Sequence, residues 1–266
     1  MRHSRTVEDA LRGLVRYRHI GDRGGATALV NESPARAVLG YSVYSSNTPA
    51  LRHIYDGATV IALRILRELC GPAWKPIEVT IPHNAPVDPS PFHQVFGPRV
   101  RFDADRSGVV FASRWLRQRI EGADPARCRD LEAQLRRAAS VEAGGMTEQV
   151  RRAMHSLSAA GTPRSGAVAG LLGLHERSLR RRLLDEGMTF QQLTRRVQFE
   201  IAQQLLEDTT LEVANVAAAL HFSDATAFSR AFKSWSNMTP SAWRAGKRAK
   251  PARRLATLSS QPRDGR

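Results

Sequence analysis

The sequence predicts an α+β N-terminal domain followed by an all-α domain that carries two helix-turn-helix units joined by a long helix. Three observations predict it. Near the C-terminal end, a helix with one apolar and one polar, cationic face follows a shorter helix across a turn of two residues, His221-Phe222. The same unit occurs again upstream, at a shift of 48 residues. The chain before residue 113 instead mixes two amphipathic helices with five short runs of strand composition.

In chain order, Thr6–His19 is predicted as a helix with Val7, Leu11, Leu14 and Val15 on one side. Asp22-Arg-Gly-Gly25 is a turn, and Ala26–Asn31 and Ala37–Tyr44 have strand composition. From Ala50 to Leu69 the residues Leu51, Ile54, Ala58, Ile61, Ile65 and Leu69 form the expected inner stripe of a long helix, ended by Gly71-Pro72. Ile77–Ile81 alternates as a strand should, and His83–Pro91 is a proline-rich loop. Arg99–Phe102 and Gly108–Ala112 are two further strands meeting at a turn, residues 103–106. Pro125–Ser140 is a helical connector, and Ala143-Gly-Gly145 marks a boundary. The expected division is an α+β effector/dimerisation-like domain over 1–122, a connector over 123–145, the double helix-turn-helix domain over 146–246 and a basic disordered tail over 247–266.

In the second unit, Phe228, Ala231, Phe232 and Trp235 fall at i, i+3, i+4 and i+7. Ser223 is the expected N-cap, with Asp224 in the first turn. Val213, Val216, Ala217 and Leu220 give the shorter helix before it. Val168–His175 aligns with Val216–Ser223, and Ser178–Leu183 with Ala227–Phe232 after one extra residue in the second copy. Leu193, Val197, Ile201 and Leu205 repeat every four residues, predicting one linking helix from about Phe190 to Glu207.

Two segments then resemble a known family. L-R-R-R-L-L-D-E-G-M-T-F-Q-Q-L at 179–193 and H-F-S-D-A-T-A-F-S-R-A-F-K-S-W at 221–235 resemble the AraC/XylS transcription regulators. The resemblance covers Met146–Gly246 and implies two units that read adjacent major-groove segments on one DNA face. Three positions depart from it: His175 stands where a Ser or Thr cap is usual, and His221 and Asn237 stand where Gly is usual. His and Asn tolerate positive φ better than most residues, so small geometric shifts are expected. More loosely, R-T-V-E-D-A-L-R-G-L-V-R-Y at 5–17, G-Y-S-V at 40–43, the P-x-x-V-x-x-x-H spacing at 76–83 and F-G-P-R-V-R-F at 96–102 resemble the arabinose-binding-type domain of one subgroup. Members of that subgroup carry more residues ahead of the point where this chain begins, so an N-terminally shortened chain is expected.

A helical wheel over His175–Leu184 turns Leu179 and Leu183 inward, Arg177 and Arg181 outward, Arg180 to the flank and Arg182 toward the buried edge. Arginine forks match guanine O6 and N7, while arginines on phosphate add affinity without sequence information. Thr226, Ser229, Arg230 and Lys233, with Ala225 beside them, form the outer face of the second unit. The first unit is therefore expected to discriminate sequence and the second to anchor the backbone. The resemblance implies base contacts at the same positions.

The formal net charge of +15 points to a polyanionic partner. Since 36 of the 40 basic residues are arginine, part of the bias reflects codon composition, and charge alone decides little. Residues from Gly145 onward carry 19 Lys/Arg against 10 Asp/Glu, a weak match to a DNA-binding half. Cys70 and Cys128 lack paired-ligand spacing, so neither a disulfide scaffold nor a metal site is expected, and each cysteine reads as a small buried hydrophobe. The absence of a long apolar run or signal core predicts a cytoplasmic protein with no membrane partner. His83 and His93 flank the proline-rich loop without a carboxylate at ligand spacing, so neither catalysis nor a cofactor is expected. Tyr17, Tyr41, Tyr44, Trp74 and His83 are possible pocket groups, with core packing the simpler role for each. The leading expectation is a sequence-specific transcription regulator of double-stranded promoter DNA. Its implied partners are a small-molecule effector, a second protomer and, for an activator, RNA polymerase. The alternative is a constitutive or non-specific DNA-binding protein with a non-functional, truncated sensor domain.

Overall fold

Helices and strands follow the changes in the apolar period, and side-chain caps start some of the helices. The structure, a computed structural model, describes residues 1–20, 24–44, 48, 50–142, 144–158 and 161–246. Of the expected features, turn residues Asp22 and Arg23, boundary residue Ala143 and the tail 247–266 lie outside the described residues.

Helix α1 (Val7–Tyr17) starts at Thr6, whose hydroxyl accepts the Asp9 amide at 3.1 Å. Strands β1 (Gly25–Ser33) and β2 (Arg36–Val43) form an antiparallel hairpin. Helix α2 (Leu51–Cys70) follows, then β3 (Glu78–Thr80), α3 (Ser90–Phe96), β4 (Val100–Arg101) and β5 (Ser107–Ala112). The sheet order is β1-β2-β5-β3-β4, antiparallel throughout except for β3 beside β4.

Three local expectations change here. Helix α2 exists, but its inner stripe is Leu51, Tyr55, Thr59, Leu63, Leu66 and Leu69, while Ile61 is 54% exposed. Two apolar stripes run along this helix, and only contact with the sheet chooses between them. The strands expected to meet at residues 103–106 are not neighbours, because β3 lies between β4 and β5. Asp103 (φ 51°) and Ala104 donate their amides to His83 and Ile81 carbonyls at 2.9 and 3.0 Å, so this turn is tied to the end of β3. The end of the proline-rich loop is also a helix, since Pro91 sits in the first turn of α3, where its missing N–H leaves no bond unmade.

Helices α1 and α2 cover one face of the sheet. Val7, Leu11, Leu63 and Leu66 pack there with Leu39, Val109 and Phe111 in a continuous core. Trp74 and Cys70 are part of that core, and burial pushes the Cys70 thiol up to about 11. Cys128 is half-buried, with its Sγ 3.8 Å from the Ser4 hydroxyl, and is thus less enclosed than expected. Helix α4 (Pro125–Glu142) forms the connector, its first turn capped by Asp124.

The second half contains α5 (Met146–Ser158), α6 (Ser165–Leu171), α7 (Glu176–Asp185), α8 (Phe190–Asp208), α9 (Val213–Ala219) and α10 (Ala225–Ser236). A capping box at Thr189 and Gln192 starts α8, the expected linking helix. Its N-terminal half, with Leu193 and Val197, packs with Val168, Leu179, Leu183, Val150 and Met154. Its C-terminal half, with Leu205 and Leu206, packs with Val216, Phe228 and Phe232. One helix therefore serves two separate cores.

The duplicated units share their turns. In the first, Gly173 (φ 66°) follows α6, and the Leu174 amide returns to the Ala169 carbonyl at 2.9 Å. In the second, His221 (φ 60°) follows α9, and the Phe222 amide returns to the Ala217 carbonyl at 3.0 Å. His221 thus adopts the left-handed conformation that Gly173 supplies freely. Asn237 (φ 59°) does the same at the end of α10, where Gly187 (φ 72°) follows α7. One cap differs from expectation: Asp224, not Ser223, is the N-cap of α10, its carboxylate accepting the Ala227 amide at 2.7 Å while Ser223 donates to Asp224. A carboxylate gains more from the helix N-terminus than a hydroxyl does. Asn237→Val is expected to destabilise the chain by about 1–2 kcal/mol, and Asn237→Gly to leave it unchanged or slightly more stable. Urea denaturation of both variants checks this.

Candidate nucleic-acid interface

Helix α7 packs mainly on α5 and α6, and two buried leucines at 179 and 183 fix its rotation. That rotation exposes Arg177 and Arg181 on one outer stripe, four residues apart. Neither forms an ion pair among the described residues. Arg180 is exposed as well, but its Nη2 lies 2.5 Å from Glu176 Oε1 and 3.1 Å from the Ser165 hydroxyl. Any contact with a nucleic acid through Arg180 has to compete with this clasp. Arg182 is exposed, contrary to the buried edge expected from the wheel.

The start of the unit is held by acidic side chains. Glu186 accepts the backbone amides of Met146 and Thr147, capping α5 from the end of α7. Those two amides hold its carboxyl below the usual carboxylate range, Thr147 contributing most. His175 is the N-cap of α7, accepting the Arg177 amide through Nδ1 at 3.4 Å, a long bond where Ser or Thr was the expectation for the family.

Helix α10 buries Phe228 and Phe232 and turns Thr226, Arg230 and Lys233 outward, with Ala225 and Ser229 half-buried beside them. All eight residues singled out in the sequence therefore fall on the outer faces or flanks of α7 and α10. The first face carries mainly guanidinium forks, the second short hydroxyls and two cations. Among the described residues no group of three or more His, Cys, Asp or Glu is placed to hold a metal ion. His83 is buried, with Nε2 2.9 Å from Asp56 Oδ1 and Nδ1 3.0 Å from the Asn84 carbonyl. A carboxylate does face it, supplied by α2 from 27 positions earlier in the chain. Desolvation pulls the His83 pKa down, but the Asp56 and Asn84 contacts outweigh it and raise it. This pair ties the proline-rich loop to α2.

How the two halves join is not written in the local sequence pattern. The sheet face turned away from α1 and α2 is covered by the helical half, with α5 lying against β1. Gln204 of α8 is buried, donates to the Val43 carbonyl and accepts from the Tyr55 hydroxyl at 3.3 Å. Burial pushes the Tyr55 phenol well above the ordinary tyrosine range, so it remains a donor. Asp103 accepts the Thr210 amide at 2.8 Å, just before α9. Arg151 lies 4.4 Å above the Tyr44 ring, and His155 packs against the same ring at 4.8 Å. The only sign of this joint in the sequence was a glutamine and a histidine within otherwise apolar helix stripes. Tyr41 and Tyr44 thus lie at the joint, whereas Trp74 lies in the core.

His155 Nε2 lies 2.8 Å from Glu200, and its Nδ1 is buried with no partner among the described residues. Burial lowers its pKa, more than Glu200 raises it. Glu200 itself is kept below the usual carboxylate range, the His155 hydrogen bond and the Arg151 and Arg196 charges overcoming its desolvation. Burial thus makes His155 take up a proton less readily in the folded chain than in the unfolded one. Its contribution to stability is present above the unfolded pKa near 6.5 and declines as pH falls below it, by at most about 1.4 kcal/mol per pH unit. Between pH 7.5 and 5.5 the wild type is expected to lose more stability than His155→Gln, as thermal unfolding at both pH values would show.

Comparison with known proteins places these features. Residues 1–120 match the family profile described as the arabinose-binding domain of AraC transcription regulator, N-term, and residues 168–246 match a helix-turn-helix domain profile. The chain is 26% identical over 246 residues to the HTH-type transcriptional regulator VirS of Mycobacterium tuberculosis, spanning 92% of this chain and 72% of that protein. It is 31% identical over 180 residues to the ornithine utilization regulator of Pseudomonas aeruginosa, spanning 66% of this chain and 52% of that protein. Among solved structures, the transcriptional regulator CdpR from Pseudomonas aeruginosa aligns over 92% of this chain and 79% of its own, with a TM-score of 0.41 and 22% identity.

Proposed function

The chain belongs to the AraC/XylS family of sequence-specific, DNA-binding transcription regulators, and we propose that α7 and α10 are its two reading helices. Each enters a major-groove segment, the two segments lying about one helical turn (~34 Å) apart on one face of the duplex. Arg177 and Arg181 carry most of the base discrimination, with Arg180 joining once it leaves Glu176. Thr226, Ser229, Arg230 and Lys233, beside Ala225, anchor the second unit mainly through the backbone. The observation that carries this reading is the pair of equivalent turns at Gly173 and His221, each presenting a helix whose inner face is buried and whose outer face is polar.

A small molecule controls that binding through the N-terminal domain, which also pairs with a second protomer, and an activating form would contact RNA polymerase. The chain works on chromosomal DNA in the cytoplasm and performs no catalysis of its own. Among the described residues no helix is long and apolar enough to cross a membrane.

Selection of bound sequences from random duplex DNA, in ~150 mM salt with competitor DNA, tests the proposal. The expected product is a motif of two blocks about 10 base pairs apart. A single block would leave only one reading helix, and no enrichment at all would remove sequence-specific reading by this chain.

A further inference from the structure

We propose that the cleft between the β1–β2 sheet face and the α8–α9 corner binds a neutral, largely apolar small molecule, and that its occupancy changes the affinity for DNA. The proposal rests on the regulator reading above and gives its effector a location. The cleft holds about 450 Å³, within the range of small-molecule sites. Its floor is Ala28, Val30, Val38 and Gly40. The sheet is thus apolar on both faces, and α5 covers only part of the second one. Gly40 stands opposite Gly108 in the ladder, so this part of the floor carries no side chain. The facing wall is Ile201 and Leu205 of α8 with Ala218 and Ala219 of α9.

Polar side chains also line the cleft, His155, Gln198, Asp208 and Asn215 among them, but its two arginines are already paired with carboxylates. At the rim, Arg101 lies 3.2 Å from Glu78, and Arg106 lies 3.4 Å from Asp105 and 3.8 Å from Glu32. An anion would have to displace those carboxylates, whereas a neutral molecule leaves them in place. Tyr55 and Gln204, already hydrogen-bonded to each other, also line the cleft.

The coupling follows from who owns the walls. The floor belongs to the N-terminal sheet, but α8 and α9 form the second helix-turn-helix unit with α10. His221, the left-handed turn residue of that unit, also borders the cleft. A ligand touching both walls binds best at one spacing between them, and that spacing sets where α10 stands. By linkage, DNA and ligand then change each other's affinity by the same factor.

The test uses prodan, a neutral naphthyl ketone whose emission shifts in apolar surroundings, titrated against the full chain. Saturable one-to-one binding is expected, weakened about tenfold or more by Ser42→Trp from the sheet wall and by Ala218→Trp from the helix wall. Neither position is fully buried, and circular dichroism checks that both variants fold. Leu131→Gln, in the separate groove between α1 and α4, is expected to leave the dye bound. No saturable binding, or binding lost with Leu131→Gln and kept in both tryptophan variants, overturns the site. Equal or tighter binding of the anionic dye 1-anilinonaphthalene-8-sulfonate in the cleft overturns the ligand class. With the DNA motif recovered by selection, saturating prodan is expected to shift the DNA dissociation constant, and DNA to shift that of prodan equally. Unchanged constants overturn the coupling. A failed DNA selection strikes the regulator reading instead, because the dye titration needs no DNA.

Discussion

Replacing Arg177 or Arg181 by alanine is expected to cost about 1–3 kcal/mol of sequence discrimination each, roughly ten- to a hundredfold per position. Both side chains are exposed on α7, whose inner face is held by Leu179 and Leu183, so the fold should persist. The loss should appear as a smaller ratio between the selected DNA site and the same site with one base pair changed. Competitor DNA should be bound only slightly less well, because a single phosphate contact adds little specificity. Thr226→Ala is expected to lose less, since a hydroxyl cannot form the two-pronged contact of a guanidinium. Titrations of all three variants against matched and mismatched duplexes decide the matter. Equal losses from Thr226→Ala and Arg181→Ala would end the proposed division of labour between the two units.

Phe228→Ala is the largest expected effect on stability. Phe228 is fully buried, packed edge-on against Phe222 at 5.5 Å and beside Phe232 at 5.7 Å. Removing the ring costs about 3–5 kcal/mol, a large share of the roughly 5–15 kcal/mol that holds most domains folded. The aromatic group continues through Phe199 and Trp243, so the cavity opens in the middle of one core. The first unit has its own core around Leu179 and Leu183 and meets the second mainly through α8. Urea denaturation should show the loss, and DNA footprints at low temperature should shorten toward the block read by α7. A footprint of unchanged length, with unchanged stability, would mean that α10 is held by something other than this core.

How much of this was legible beforehand depended on the range of the interaction concerned. The helix-turn-helix pair was readable because its signals are local: period, caps and a repeated turn all fall within a few dozen residues. The left-handed turns at His221 and Asn237 were expected from the family resemblance, in which Gly is usual at both positions. The cap at Asp224 was misplaced by one residue because Ser223 and Asp224 are both good caps, and the choice depends on where the helix packs. Arg182 was placed at a buried edge because a wheel supplies an angle but no neighbour, and the side chain is exposed in the fold.

In the N-terminal half the elements themselves were legible, but not their partners. Alternation identifies β3, β4 and β5 as strands and says nothing of their order. That order follows from the α3 crossover, which makes β3 and β4 parallel, and from Asp103 and Ala104 bonding back to the end of β3. Helix α2 offers two apolar stripes, and the sheet selects the one with Leu63 and Leu66.

By itself, then, the sequence determined the class of each half, the duplicated units and the arginine-bearing outer face of α7. Those properties are carried by periodicity and short-range backbone chemistry. Only the tertiary structure decided the strand order, the buried side of α2, the Tyr55–Gln204 bridge and the cleft above Gly40. Each of these depends on residues from far apart in the chain competing for the same buried surface, and the relative depth of such contacts is not written in any local pattern.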